Sequence, residues 1–260
     1  MLAFHAAAHP VIAGAVGTNL ADAFLPTYAQ RGPTCASCSL KGVCLAGSLS
    51  ATELERFSTL ATVKRRIGPG QSLFRAGDLL QALYVIHGGS FKAATVSGDG
   101  DEKVTGFYFP GEILGLDAIG AGKHFGDATA LEGSEVCVIP FEYLQRMTHT
   151  VPALQQRLFR ALSADISRDD GLMLLLGGMS ARQRLAAFLL SLSHHYARNG
   201  YSPDCFVLRM TREEIGSYLG LSLETVSRVV SRLHREGLIA VRQREVRLVD
   251  VERLTEIAAG

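Results

Sequence analysis

Four cysteines in this 260-residue chain could together bind a metal ion or cluster. Cys35, Cys38 and Cys44 lie in one short stretch, and Cys137 follows much later in the apolar segment 134–139. A Cys-x2-Cys spacing lets two neighbouring thiolates bind one centre, and both zinc and iron–sulfur sites use four soft ligands. The residue types alone therefore leave zinc and an iron–sulfur cluster open. The x5 spacing to Cys44 differs from the paired Cys-x2-Cys repeats of common zinc sites and favours iron.

Cysteine usage also indicates the cellular compartment. The chain has five cysteines, and an odd number fits poorly with a disulfide framework. We therefore expect a reducing, cytoplasmic environment, and we expect Cys205 to be a small, partly buried apolar residue. The first 30 residues are rich in apolar side chains but contain no Lys or Arg, so they lack the charged start of a signal peptide. We interpret them as a loosely ordered extension.

The segment from about 63 to 140 must position Cys137. Short β-rich stretches alternate there with Gly-rich turns, a pattern that predicts a small antiparallel barrel or roll. The Gly98–Asp101 stretch is predicted to be a hairpin turn rather than a calcium loop, because the remaining oxygen ligands are missing. Before this segment, Ser50 and Glu53 form the pattern of a capping box and predict the start of a helix.

A long helix is predicted from Pro152 to about Leu176. Apolar side chains recur on it at alternating spacings of three and four, with one acid among them, as in the seam that pairs two helices. The seam residues are Phe159, Leu162, Ile166, Asp169, Met173 and Leu176. In a parallel homodimer the two Asp169 carboxylates would face and repel each other, so the pairing would be adjustable. The alternatives are a helix that packs within one domain, and an Asp169 that reaches solvent.

Residues 211–235 have the pattern of a helix-turn-helix. Thr211 and Glu214 form a second capping box, Gly220 suits the tight turn, and Ser222 caps the next helix. The formal net charge of the chain is only +1, so any nucleic-acid contact requires a local basic surface. The alternative is an ordinary amphipathic helix pair without a nucleic-acid partner.

The second of these helices has a face suited to reading DNA bases. Its buried face is predicted to comprise Leu223, Val226, Val230 and Leu233. Its opposite face combines residue types that bond base edges in the major groove, namely Glu224, Ser227, Arg228 and Ser231. Residues 238–249 are predicted to form a hairpin wing. Four further arginines are candidate DNA contacts, namely Arg212 and Arg232 near the helices and Arg242 and Arg244 on the wing.

Taken together, these motifs resemble the CRP/FNR superfamily of transcription regulators, and within it the FNR type, whose name stands for fumarate and nitrate reduction. The resemblance covers residues 35–255. It rests on the four cysteines, the stretch 111–119 (Gly-Glu-Ile-Leu-Gly-Leu-Asp-Ala-Ile), the seam residues Ile166 and Asp169, and 223–228 (Leu-Glu-Thr-Val-Ser-Arg).

The resemblance implies an α+β fold. Residues 1–49 would form an extension and the cysteine loop, 50–150 a β-roll of the cyclic-nucleotide-binding (jelly-roll) type, 151–178 a dimerisation helix, and 179–260 a winged helix-turn-helix. It also implies that Cys35, Cys38, Cys44 and Cys137 hold an oxygen-labile 4Fe–4S cluster. The implied partners are RNA polymerase, a second copy of the chain when the cluster is bound, and double-stranded DNA with a TTGAT-like inverted repeat, read by Glu224, Ser227 and Arg228. Such a regulator would switch genes of anaerobic metabolism.

The main departure from the superfamily concerns its nucleotide ligand. Relatives that bind cyclic nucleotides carry an Arg-Ser or Arg-Thr pair after the Gly-Glu stretch, whereas no arginine lies between Gly111 and Leu131 here. Asp127 would repel an anion, so we do not expect cyclic AMP to bind. The alternative function is a zinc-stabilised or small-molecule-responsive regulator of the same fold without a redox cluster.

An enzyme is not predicted. The sequence shows no nucleophile–base pair, no phosphate-cradling glycine loop and no HExxH-type helix. His194 and His195 are adjacent rather than on one helical face, and we interpret both as solvated surface residues.

Overall fold

The computed structural model describes residues 30–31, 35–61, 63–98 and 100–260. The predicted N-terminal extension up to residue 29, residues 32–34 of the cysteine loop and Asp99 of the predicted turn lie outside the described residues. The strands are β1 (Gln30–Arg31), β2 (Val63–Ile67), β3 (Ser72–Phe74), β4 (Ala82–Gly88), β5 (Phe91–Val96), β6 (Glu102–Tyr108), β7 (Ile113–Leu114), β8 (Asp127–Ala130), β9 (Ser134–Pro140), β10 (Cys205–Val207), β11 (Ile239–Arg242) and β12 (Glu245–Leu248). The helices are α1 (Ala51–Ala61), α2 (Phe141–Thr150), α3 (Pro152–Gly178), α4 (Ala181–Arg198), α5 (Arg212–Leu219), α6 (Leu223–Arg235) and α7 (Val251–Ala259).

The first half of the chain forms a roll of two antiparallel sheets. One sheet has the strand order β1-β2-β9-β4-β7 and the other has the order β3-β8-β5-β6. Their facing sides enclose a core that includes Phe74, Ile86, Phe91 and Val136. The predicted α+β class, with a roll, a long helix and a winged helix-turn-helix, is confirmed.

Local signals in the roll act as the sequence predicts. Ser50 and Glu53 form a capping box at the start of α1, since the Glu53 carboxylate accepts from the Ser50 amide at 2.8 Å and the Ser50 hydroxyl accepts from the Glu53 amide at 3.4 Å. The predicted turn joins β5 to β6, and Gly100 has a φ of 87° there, which a residue with a side chain rarely adopts.

The outer face of the five-stranded sheet carries a second core. Apolar residues of β4, β7 and β9 pack there against α1, α2, the cysteine loop and the first turn of α3. Leu45, Leu54, Leu144 and Leu154 are each almost fully buried in this cluster. The cysteine loop and the beginning of the long helix therefore share one hydrophobic core.

Helix α3 is 27 residues long and runs between the two halves of the molecule. Pro152 occupies its first turn, where a missing amide hydrogen has no consequence for the helix. Among the described residues, no helix combines the length and the apolar composition that a bilayer crossing requires.

The last 80 residues form the winged helix-turn-helix. Helices α4 to α7 surround a core with the three-stranded sheet β10-β12-β11. The predicted buried face of α6 is partly wrong. Val226 and Leu233 are buried, but Val229 replaces Val230 as the third buried residue and 46% of Leu223 is exposed. Val230 packs against the same core but is only partly buried, and Leu223 lies in the first turn of the helix.

The roll and the C-terminal half also contact each other directly, which the sequence does not predict. Val104, Phe107 and Phe109 of the β6 region belong to the hydrophobic core of the C-terminal half. The interpretation of His195 as a solvated residue is wrong, since its ring packs with a centroid separation of 5.1 Å against Phe109. His194 is exposed, as predicted.

Candidate functional site

The cysteine loop is built from short turns rather than regular elements. Residues Cys35–Ser37 and Leu45–Ser48 form two 3-10 turns. The amide of Cys44 donates to the Leu40 carbonyl at 3.0 Å. Since single turns of this type make few hydrogen bonds, the loop depends on burial of Leu45 and Ala46 for its position.

All four predicted ligand cysteines lie in one neighbourhood. Cys137 stands on the central strand β9, and its charge interacts with those of Cys35, Cys38 and Cys44. Cys35, Cys44 and Cys137 also pack against the same hydrophobic cluster. All are free thiols of intermediate exposure. Cys205 lies in the C-terminal half with its sulfur 3.5 Å from Glu245 Oε1 and is partly buried.

Burial keeps these thiols protonated. It raises the pKa of Cys35 and of Cys44, and it raises the pKa of Cys137 to about 12. Lys64 acts in the opposite direction and lowers the pKa of Cys137. Near pH 7 these three thiols are therefore neutral, and a metal that binds there must displace their protons.

The donor set suits an iron–sulfur cluster or zinc, but its members have not converged. Within the described residues, no group of three or more Cys, His, Asp or Glu side chains is arranged so that it could hold a metal ion. Four soft thiol donors fit either centre chemically. Binding would require the four sulfur atoms to converge on one point.

Besides the shared hydrophobic core, an arginine attaches the loop to the long helix by hydrogen bonds. Arg157, in the second turn of α3, donates from Nε to Ser48 Oγ at 2.7 Å and from Nη2 to the Gly42 carbonyl at 3.4 Å. Its charge also lowers the pKa of Cys44. The loop is therefore in direct contact with the helix that carries the predicted dimer seam, so a change in the loop acts directly on that helix.

The predicted seam is largely open to solvent in the single chain. Phe159 is 59% exposed, Ile166 62% and Met173 65%. Asp169 is also exposed and lies on the same stripe. Leu162 packs partly in the core beneath the cysteine loop, and Leu176 contacts the turn at Gly220. A contiguous exposed apolar stripe of this kind is typical of an interface rather than of a free surface.

A charged cluster that the sequence does not reveal links three parts of the molecule. Arg168 of α3 pairs with Asp165, lies over the Tyr108 ring at 4.3 Å and approaches Glu112 at 3.9 Å. His195 of α4 lies 4.0 Å from the same Glu112. Burial lowers the pKa of His195, so the ring is neutral near pH 7. The cluster combines three parts of the chain that are far apart in sequence, around Glu112, Arg168 and His195, so only the tertiary structure brings them together.

The predicted base-reading face of α6 is presented to solvent. Glu224, Arg228 and Ser231 are exposed and Ser227 is half-buried. Ser222 caps the helix by accepting from the Thr225 amide at 3.2 Å.

Two of the arginine side chains extend this face. The Arg212 guanidinium donates to Ser227 Oγ at 3.1 Å, which places α5 beside the reading face. Arg228 donates to the Thr225 hydroxyl at 3.2 Å and keeps the remaining donors of its guanidinium group in the open.

The other predicted arginines lie at the end of α6 and on the wing. Arg232 pairs at 2.8 Å with Glu236, which follows the last residue of α6. Arg242 and Arg244 are exposed beside the turn between β11 and β12, where Gln243 has a φ of 57°. The predicted wing is therefore present, with both cations at its tip.

Two family patterns match this chain. The Crp-like helix-turn-helix domain matches residues 183–257, and the cyclic nucleotide-binding domain matches residues 64–150. The chain is 47% identical over 223 residues to the transcriptional regulatory protein btr of Bordetella pertussis, which covers 86% of this chain and 92% of that protein. It is 41% identical over 224 residues to the fumarate and nitrate reduction regulatory protein of Escherichia coli K12, which covers 86% of this chain and 90% of that protein.

Solved structures resemble the fold. FixK2 from Bradyrhizobium japonicum matches with a TM-score of 0.70 and 25% identity, over 76% of this chain and 97% of that chain. A CRP-family transcriptional regulator from Thermus thermophilus matches with a TM-score of 0.61 and 24% identity, over 75% of this chain and 97% of that chain, and shows the fold alone.

Proposed function

This chain belongs to the CRP/FNR family of transcription regulators, and from that premise we propose that it is an oxygen-responsive regulator controlled by a 4Fe–4S cluster. The observation that carries the proposal is the neighbourhood of Cys35, Cys38, Cys44 and Cys137 beside the first turns of α3. The name of the relatives with 41% identity supports it, since fumarate and nitrate reduction are the processes they are named for. We expect the regulated genes to be those of anaerobic metabolism.

The four cysteines would be the ligands of the cluster. When bound, the cluster would supply a centre that oxygen can degrade. The chain's own part is to bring the loop against Cys137 and against the helix. Leu45 and Ala46 bury the loop on the sheet, and Arg157 ties Ser48 to α3. Loop position and helix position are coupled through these contacts.

Helix α3 would pair two copies of the chain. Phe159, Ile166 and Met173 provide apolar surface that becomes buried on pairing, which favours a dimer. The two Asp169 carboxylates would face each other and oppose it. We propose that the stabilisation from apolar burial and the repulsion between the carboxylates nearly balance. A contribution of a few kcal/mol from the ordered loop then decides between monomer and dimer.

A dimer would read DNA with two copies of α6. Glu224, Ser227 and Arg228 lie near the exposed N-terminal end of the helix, the end that enters the major groove in this motif. Two such helices related by twofold symmetry match an inverted repeat, and we propose a TTGAT-like half-site. We propose that Arg212, Arg242 and Arg244 contact phosphates beside it.

Anaerobic reconstitution tests this function. Full-length protein supplied with ferrous iron and sulfide should bind both, and it should bind an inverted-repeat duplex only before exposure to air. Cys137→Ala should lose iron, sulfide and DNA binding, whereas Cys205→Ala should keep all three. Zinc without sulfide in the purified protein, or DNA binding unaffected by air and by Cys137→Ala, would contradict the proposal.

A further inference from the structure

A buried lysine faces the cysteine site from the neighbouring strand. Lys64 lies directly opposite Cys137 in the antiparallel pair of β2 and β9. Directly opposed residues in such a pair project from the same face of the sheet. Only 10% of the Lys64 side chain is exposed. A cation is thus fixed on the face of the sheet from which the Cys137 thiol projects.

Two partners hold the Lys64 ammonium in place. Its Nζ donates to Glu135 Oε2 at 2.9 Å and lies 3.1 Å from His87 Nε2. Burial and the charge of Lys64 lower the pKa of His87, so this ring is neutral near pH 7 and the lysine carries the positive charge. A buried ammonium needs such partners, because leaving it unpaired away from water is costly.

Another cation on the same strand provides a contrast. Arg66 lies opposite Glu135 and approaches it at 3.7 Å, but 77% of its side chain is exposed. The charge of Lys64 reaches both Cys137 and Cys35, and it favours the thiolate of each. A charge held away from solvent is screened much less than one in water.

We propose that Lys64 is the charge-balancing residue of the cysteine site, whose fixed ammonium stabilises the thiolates of Cys137 and Cys35 and the anionic centre that they would help to hold. The identity of that centre rests on the proposed function, whereas the effect on the thiolates does not. An anionic group in an apolar setting is costly without a nearby cation. Charges and hydrogen bonds around an iron–sulfur centre also set its stability and potential.

Three substitutions separate charge from packing. Lys64→Met removes the charge and keeps an unbranched side chain, and Lys64→Arg keeps the charge. Arg66→Met is the matched control, because it removes one positive charge from the same strand and the same Glu135 neighbourhood. Lys64→Gln replaces the Met variant if the latter does not fold, as judged by circular dichroism.

The first measurement uses the full-length chain without metal. Iodoacetate and iodoacetamide alkylate Cys137 at rates read by mass spectrometry, with Cys205 as the internal reference. Iodoacetate is anionic and iodoacetamide is neutral, so the ratio of their two alkylation rates cancels changes in the intrinsic reactivity of the thiol. The ratio therefore reports the electrostatic field at Cys137. We expect Lys64→Met to lower this ratio about threefold or more, while Lys64→Arg and Arg66→Met stay near the parent value. Equal ratios in Lys64→Met and Arg66→Met would overturn the proposal.

The second measurement uses chains reconstituted anaerobically with ferrous iron and sulfide. Lys64→Met should release iron to a chelator roughly 10-fold to 100-fold faster than the parent chain. Lys64→Arg should restore retention, and its failure to do so would overturn the role of charge. If the parent chain binds no iron and sulfide, the proposed function fails, and the alkylation ratio still decides the role of Lys64.

Discussion

The helix-turn-helix and the cysteine loop are built in opposite ways. In the helix-turn-helix, Thr211 and Glu214 satisfy each other's amides at 2.7 and 3.1 Å, and Gly220 closes the turn with a φ of 64°. In its described part, residues 35–49, the cysteine loop has two short 3-10 turns, and it contacts α3 through the shared hydrophobic core and through hydrogen bonds from Arg157.

This difference in construction matches the two proposed tasks, DNA recognition by the helix-turn-helix and sensing by the cysteine loop. A surface that recognises DNA must keep one shape, so its caps and core are complete before any partner binds. A segment that responds to a ligand needs a second accessible arrangement, and segments with few internal hydrogen bonds open at low cost. We infer that the loop changes while α5 and α6 move as a rigid unit.

The largest effect is expected from a substitution that changes only the proposed DNA-reading surface of α6. Arg228→Ala removes an exposed guanidinium suited to bonding a guanine. We expect a loss of about 1–3 kcal/mol per half-site, and roughly twice that for a dimer. Fluorescence anisotropy with the inverted-repeat duplex measures it, while iron content and dimerisation stay unchanged. Arg235→Ala, at the far end of the same helix, is the control, and an equal loss in both variants would argue against Arg228 as a base reader.

A smaller effect is expected at the seam. Asp169→Ala removes the two carboxylates that we propose face each other in the dimer, so the metal-free chain should dimerise about tenfold more tightly, or ~1.4 kcal/mol. This variant should also bind DNA in air. Sedimentation velocity of Asp169→Ala and of the control Asp170→Ala, an exposed neighbour outside the seam, gives the comparison. A monomeric Asp169→Ala chain would contradict the proposed role of charge repulsion between the two copies of α3.

The smallest effect is expected where the loop meets the helix. Arg157→Ala removes two exposed hydrogen bonds worth about 1 kcal/mol together. Hydrogen exchange in residues 42–49 should rise roughly fivefold, with no change in residues 212–235. Arg160→Ala, on an exposed position of the same helix, provides the baseline. Equal acceleration in both segments would show that the loop and the reading half do not move independently.

Sequence patterns were sufficient wherever the determining interactions are local. The capping boxes at Ser50 and Thr211, the turn at Gly220 and the wing after Gly237 depend on neighbours within a few residues. The burial of Val229 was missed because both Val229 and Val230 satisfy a helical period. Only the packing of the whole domain decides which of them is buried.

Contacts between residues on separate elements could not be predicted from the sequence. The spacing of three cysteines suggested Cys137 as the fourth ligand, but only the pairing of β2 with β9 shows that Lys64 lies beside it. The Glu112, Arg168 and His195 cluster likewise combines residues from three elements. Charged residues on separate elements have no period or spacing that could indicate their contact.

Sedimentation velocity of one anaerobically reconstituted sample, with detection at both the protein and the iron–sulfur absorbance, tests the central claim most directly. We predict that the absorbance of the cluster sediments with a dimer before oxygen is added. After oxygen, the cluster absorbance should disappear and the protein should sediment as a monomer. A dimer that persists after complete bleaching, or a brown monomer before it, would contradict control of dimerisation by the four cysteines.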